Sequence, residues 1–171
     1  MIRALFARLT GGPSRGQPLF DLAVAEARHM HWFVEGEVPD TVNGRFAVLA
    51  TIVALMTVRL EKEGEEGAHA TVALTERMVE TLDAELREMG LGDPTLGKQV
   101  RGLVGAVAGR VERWRGLVGA DADWTEEVRR SLYLDGVPGP DGARHSESAL
   151  RTLWERLAAT SLEDLSQGRI S

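Results

Sequence analysis

The sequence predicts an all-α fold, a single-domain bundle of six to seven helices around a buried central helix, Gly44–Lys62. Three observations predict it. The stretch Phe46–Val58 carries no charge and only the hydroxyls of Thr51 and Thr57, so a helix there is apolar nearly all round and must be wrapped by others. The segments on either side place apolar residues three and four apart, with capping residues and glycines at their ends. No segment alternates apolar and polar residues convincingly with the period of a strand. The β-branched residues of the central stretch would also permit a strand, but the charged run Arg59–Glu63 follows without a turn signal, and the length favours helix. Thirteen uncharged residues rise about 20 Å, short of the roughly 30 Å hydrocarbon core of a bilayer, and Arg45 and Arg59 bracket them.

Composition bounds the function. With 171 residues, 43% hydrophobic and 27% charged, the chain is an ordinary soluble domain with room for a core. A formal charge of −6 argues against DNA and indiscriminate nucleic-acid binding, while leaving room for a local basic patch. The absence of cysteine removes disulfides, thiolate metal sites and thiol nucleophiles, and fits a cytoplasmic address.

Residues 1–17 read as a flexible basic segment preceding an all-α domain over 18–171. Their apolar run is too short for a secretory signal. As a helix, Ile2, Leu5, Phe6 and Leu9 share a face flanked by Arg3 and Arg8, which suits either contact with an anionic membrane surface or packing onto the domain. Gly11, Gly12, Pro13 and Gly16 form a joint. Leu19 to Phe33 follows helical spacing after Pro18 and includes His29 and His31. In a helix these two point about 200° apart and cannot share a metal, and haem ligation through them has no support from spacing. Pro39 stops this helix, and Asp40 or Asn43 is placed to cap the central one.

After a polar break at Glu63–Gly67, the stripe Met78, Val79, Leu82, Leu86 and Met89 marks a helix that Gly90 ends in a left-handed cap. Asp93 and Pro94 open the next, as N-cap and first helical residue, running to about Val118. On it, Leu96, Val100, Leu103, Val104, Val107, Val111 and Trp114 cover one side. Gly102, Gly105, Gly109 and Gly116 fall opposite, bordered by Lys98, Arg101 and Arg113. Each glycine costs about 1 kcal/mol relative to alanine, which close approach of another backbone would explain. That backbone is either another helix of this domain or a partner received on an outward strip. Asp123 caps a short helix with Trp124, Val128 and Leu132 inward. Gly136–Arg144 reads as a turn-rich loop, and Ser146 opens a helix with Leu150, Leu153, Trp154 and Leu157 on one face. Ser161 and Asp164 resemble a capping box, with Gly168 closing the last turn.

No catalytic constellation or cofactor motif is present. The four histidines form no cluster with ligand spacing, and the carboxylates lie on solvated helix faces. Asp93 with Lys98 is a cap beside a surface cation rather than an acid–base pair.

From Leu19 to Ile170 the chain resembles the ubiquinol–cytochrome c chaperones, the assembly-factor family for cytochrome b of respiratory complex III. The resemblance is densest at Val38-Pro39-Asp40-Thr41-Val42-Asn43-Gly44-Arg45-Phe46 and at Leu86-Arg87-Glu88-Met89-Gly90-Leu91-Gly92-Asp93, continuing to Gly97-Lys98. The order and spacing of the two blocks make it specific. Val38, Pro39, Asp40, Gly44, Phe46, Gly90, Gly92, Asp93 and Gly97 within them read as structural. The chain departs from relatives at Glu37, where they carry glycine, at Val107-Ala108, where they carry an aromatic pair, and at Gly102 and Gly105, where they carry larger polar residues. The resemblance implies a non-catalytic role, binding newly made cytochrome b and holding it until haem insertion and complex assembly, with the ribosomal exit site and a small co-chaperone as partners of mitochondrial relatives.

The candidate partner surface is Arg45, Lys98, Arg101, Gly102, Gly105, Gly109, Arg110 and Arg113. Two other readings stand beside it. A ribosome- or RNA-associated module would act through Lys98, Arg101, Arg110, Arg113 and Arg115, with Arg129 and Arg130. A membrane-peripheral scaffold on the inner face of the cytoplasmic membrane would be anchored by Ile2, Leu5 and Phe6.

Overall fold

A computed structural model describes residues 16–119, 122–134 and 136–171; the segment holding Ile2, Leu5 and Phe6 lies outside them. Among the described residues the regular structure is helical and no strand occurs. The chain runs through α1 (Gln17–Ala27), a 3-10 turn (Met30–Trp32), α2 (Val42–Leu60), a second 3-10 turn (Glu61–Glu63) and α3 (Gly64–Glu88). It continues through α4 (Asp93–Arg115), α5 (Thr125–Val128) prolonged by a π turn (Arg129–Tyr133), α6 (Pro140–Ala159) and α7 (Leu162–Ser166).

The apolar stretch is α2, and it is central: every residue from Ala50 to Leu60 is buried. It packs against α1, α3, α4, α6 and the π turn. An 18-residue window in Val42–Glu88 has a mean hydropathy of 1.4 and is 72% buried, so its apolar character belongs to a core helix. Arg59 is buried within this packing because its guanidinium donates to the carbonyls of Leu157 at 3.0 Å and Thr160 at 2.9 Å and pairs with Glu63 at 2.5 Å. It thereby caps the C-terminal end of α6, where orphan carbonyls need donors.

Several boundaries differ from those the sequence predicts. The helix expected over Leu19–Phe33 ends at Ala27, where the indole of Trp32 folds back to donate to the Glu26 carbonyl at 2.9 Å. His29 has extended backbone, so neither it nor His31 is on that helix. Thr41, not Asp40 or Asn43, caps α2 by accepting from the Gly44 amide at 3.1 Å. The polar run after Glu63 is the first turn of α3, with Glu65 and Glu66 favourably placed at the positive end of the helix dipole. Gly64, at φ +61°, makes the reversal from α2 into α3. The N-cap of α4 is Gly92; Asp93 stands one residue inside and accepts from Arg87 at 2.9 Å. Most of the loop expected at Gly136–Arg144 is the first turn of α6, begun by Pro140. Ser161 caps α7 by accepting from the Asp164 amide at 3.1 Å and donates its hydroxyl to the Asp164 carboxylate at 2.9 Å, while Gly90 and Gly168 take positive φ.

Candidate functional site

The core stripes of three helices do not stop at the core. Along α3, Leu74, Met78 and Leu82 are buried, Leu86 is half-buried, and Met89 is 67% exposed. Along α1, Leu19, Leu22 and Ala23 are buried, while Val24 and Ala27 are half-buried. The first turns of α2 behave alike: Phe46 and Leu49 are half-buried, and Val42 is 74% exposed. These surplus residues, with Leu103 of α4, line an open groove of about 650 Å³. A drug-sized pocket has this volume and apolar character, but an open trough also accepts a helix face.

Charges edge the groove on both sides. Arg28, Arg45 and Arg77 supply cations, and Asp21 and Glu85 supply anions. Arg45 pairs with Asp40 at 2.6 Å and lies 5.1 Å from the Phe33 ring centre, as the fork geometry of arginine allows. Arg77 pairs with Glu80 at 3.2 Å, yet its Nε is buried and has no acceptor among the described residues. A buried donor left without a partner is destabilising, and an occupant's carbonyl would relieve it.

The α2 end of the groove is fixed by a rigid corner. A Cβ on Gly44 would lie 1.9 Å from the Pro39 carbonyl oxygen, so only glycine lets the chain turn this tightly. One step earlier, Glu37 has φ +55°, a left-handed conformation that favours glycine. Its carboxylate accepts from the Gly139 amide at 2.7 Å, an anion at the start of α6. Beside it the buried hydroxyl of Tyr133 donates to the Gly36 carbonyl and sits 2.7 Å from Ser146 Oγ. Burial raises the Tyr133 pKa, keeping the donor protonated.

The residues expected to bind a partner separate into three groups. Arg45 is on the groove edge. Lys98, Arg101, Gly102 and Gly105 are exposed on the outer face of α4; a Cβ on Gly102 or Gly105 would meet nothing within 4 Å, and one on Gly109 only the Arg113 guanidinium at 3.2 Å. The glycine strip therefore faces out rather than packing inside. Arg110 and Arg113 are corrections. Arg110 is only 5% exposed and donates to the carbonyls of Ala106 at 3.0 Å and Ser131 at 2.7 Å. Desolvation and then the neighbouring Arg113 charge lower its pKa from the usual arginine value. Arg113 donates to both oxygens of Glu127, at 2.8 and 2.9 Å. Both clamp α4 to the α5 segment, because the Ser131 carbonyl and the Glu127 carboxylate arrive there from distant sequence. The basic stripe needed for RNA is broken accordingly, with Arg115 also held by Glu61 and Glu112.

Sequence reasoning missed Phe20, Val24, Leu49 and Leu82 as groove residues. Their signal was an apolar face wider than one packing contact needs, and the exposed Met89 at the end of a stripe. Among the described residues no group of three or more His, Cys, Asp or Glu is placed to hold a metal. His31 Nδ1 does lie 3.0 Å from His145 Nε2, a pairing across the fold. Burial first, then the charges of His145 and His29, lower the His31 pKa below 6.5 against weaker raising effects of Glu35 and Glu26.

A family model described as ubiquinol-cytochrome C chaperone matches residues 35–171. Among solved structures, the crystal structure of the Cbp3 homolog from Brucella abortus is similar, with a TM-score of 0.76 at 25% identity, over 100% of this chain and 96% of that one. No curated protein matches the chain significantly.

Proposed function

The chain belongs to the ubiquinol–cytochrome c chaperone family, and from that premise we propose that it is a non-catalytic assembly chaperone that holds newly made cytochrome b for assembly of ubiquinol–cytochrome c reductase. The observation that carries the client-binding part is the arginine-edged apolar groove between α1, α2, α3 and α4. A membrane helix leaving the ribosome exposes apolar surface that needs temporary cover, and a trough of half-buried and exposed Val, Leu, Phe and Met side chains offers it. Methionine and leucine at the open end adapt to varied side chains. Arg28, Arg45 and Arg77 suit the carbonyls and acidic groups at a helix end, or lipid headgroups beside it. The protein works at the inner face of the cytoplasmic membrane, where such helices are inserted.

Deletion of the gene tests this reading. Haem-stained membranes and complex-specific activities should show cytochrome b and complex III depleted, with other respiratory complexes near normal. Normal complex III in the deletion strain would sink it.

A further inference from the structure

We propose that His31 and His145 form a two-histidine site for a divalent transition-metal ion that takes its ligands at right angles, Cu²⁺ or Ni²⁺. Sequence spacing set His31 against His29; the fold sets it against a residue 114 positions away.

Buried neighbours hold both rings in place. His31 is on the 3-10 turn Met30–Trp32. There the buried Trp32 indole donates to the Glu26 carbonyl at 2.9 Å, and the His31 carbonyl accepts from the Gly36 amide at 2.8 Å. The His31 ring rests against Trp32, with ring centres 4.5 Å apart. On α6, His145 precedes Ser146, which is wholly buried and has its Oγ 2.7 Å from the Tyr133 hydroxyl. A Cβ on Gly36 would lie 2.7 Å from that same Oγ, so the turn and the helix touch beside the two histidines. Both ligands therefore stand on anchored backbone, which keeps the cost of ordering them low.

Distance selects the ion. His31 Nδ1 lies 3.0 Å from His145 Nε2, with ring centres 5.1 Å apart and the rings at 65°. Metal–nitrogen bonds of about 2.0–2.1 Å separate two ligands by about 2.9 Å at a right angle and about 3.4 Å at the tetrahedral angle. The observed spacing matches the right-angled pair, the arrangement of square-planar Cu²⁺ and Ni²⁺ sites, and imidazole suits both ions. Without metal the two nitrogens share one proton in a hydrogen bond. With metal, both lone pairs turn onto the ion and that proton passes to water. Among the described residues no third His, Cys, Asp or Glu completes the set, so water fills the remaining positions. The surroundings admit it, since both rings are half-buried and His29 and Met30 beside them are exposed. Glu35, in the same turn region, adds negative charge near His31. A bound ion fastens the Met30–Trp32 turn to α6.

Tag-free full-length protein, stripped of metal by a chelator, provides the test. Calorimetric titration with CuCl₂ should show one equivalent bound. Either His31→Asn or His145→Asn should weaken that binding tenfold or more, with the helical circular dichroism retained, and His69→Asn on α3 should leave it unchanged. Electron paramagnetic resonance of the one-to-one Cu²⁺ complex should show coupling to two nitrogens. Fewer than two nitrogens on the natural chain would overturn the site, however the variants fold. So would unchanged affinity in both His31→Asn and His145→Asn. A loss in His29→Asn with none in His145→Asn would move binding to the exposed turn and overturn the pairing.

Discussion

Helix α4 separates two surfaces, and the sequence pointed to only one of them, the glycine strip, as ready for a partner. On its outer face, Lys98, Arg101, Gly102 and Gly105 form a smooth basic strip open to solvent. On the other side, Gln99 and Leu103 join α1, α2 and α3 around the apolar groove. Smoothness lets a backbone approach but offers little apolar area, whereas the groove offers apolar walls from several helices. Burial of apolar surface favours association, at about 25 cal/mol per Å², and the groove has more of it to offer. Glycines cost helix stability on either reading, and no contact among the described residues explains those at 102 and 105.

Substitutions can break or sharpen this contrast. The largest effect is expected at the groove's corner: Gly44→Val pushes a side chain into the Pro39 carbonyl and should destabilise the fold by about 3 kcal/mol or more, read from denaturant unfolding. Wild-type stability there would mean that the α2 corner is not rigid. Next comes Leu86→Asp, half-exposed in the groove wall, which should keep the helical circular dichroism and melting transition. It should nevertheless weaken binding of a cytochrome b transmembrane peptide by tenfold or more, about 1.4 kcal/mol. On the strip, Gly105→Ala should raise stability by about 0.8 kcal/mol, and Gly105→Leu should leave peptide binding unchanged. Loss of binding in Gly105→Leu with the fold intact would exchange the two surfaces.

The smallest effect concerns pH. Burial first, then the His145 and His29 charges, set the His31 pKa in the fold below the unfolded 6.5. Above that pH both states are neutral and nothing changes. As pH falls through 6.5 the unfolded chain takes up the proton first, and stability is lost. The melting temperature should be lower near pH 5.5 than near pH 7.5, and the difference should shrink in His31→Asn. An unchanged difference would remove His31 from the pH response.

Much of the fold was legible because it is local. The uncharged run of α2, the stripe of α3, the Gly90 ending and the Ser161 cap are patterns within a few residues, and each is found where expected. Some of what failed is also local: Trp32 ends α1 by reaching back six residues to Glu26, a contact that helical spacing does not show. The rest depends on partners far away in sequence, since Arg110 is buried because Ser131 arrives 21 residues later and His31 meets His145 across 114 residues. The groove was illegible for the same reason. Its lining residues are ordinary members of core stripes, and only the packing of four helices leaves their ends uncovered.

Site-specific photo-cross-linking in living cells tests the groove most directly. A photoreactive residue at position 86 should attach to newly made cytochrome b, and one at position 105 should not. Cross-links to cytochrome b from position 105 with none from position 86 would contradict the assignment of client capture to the groove.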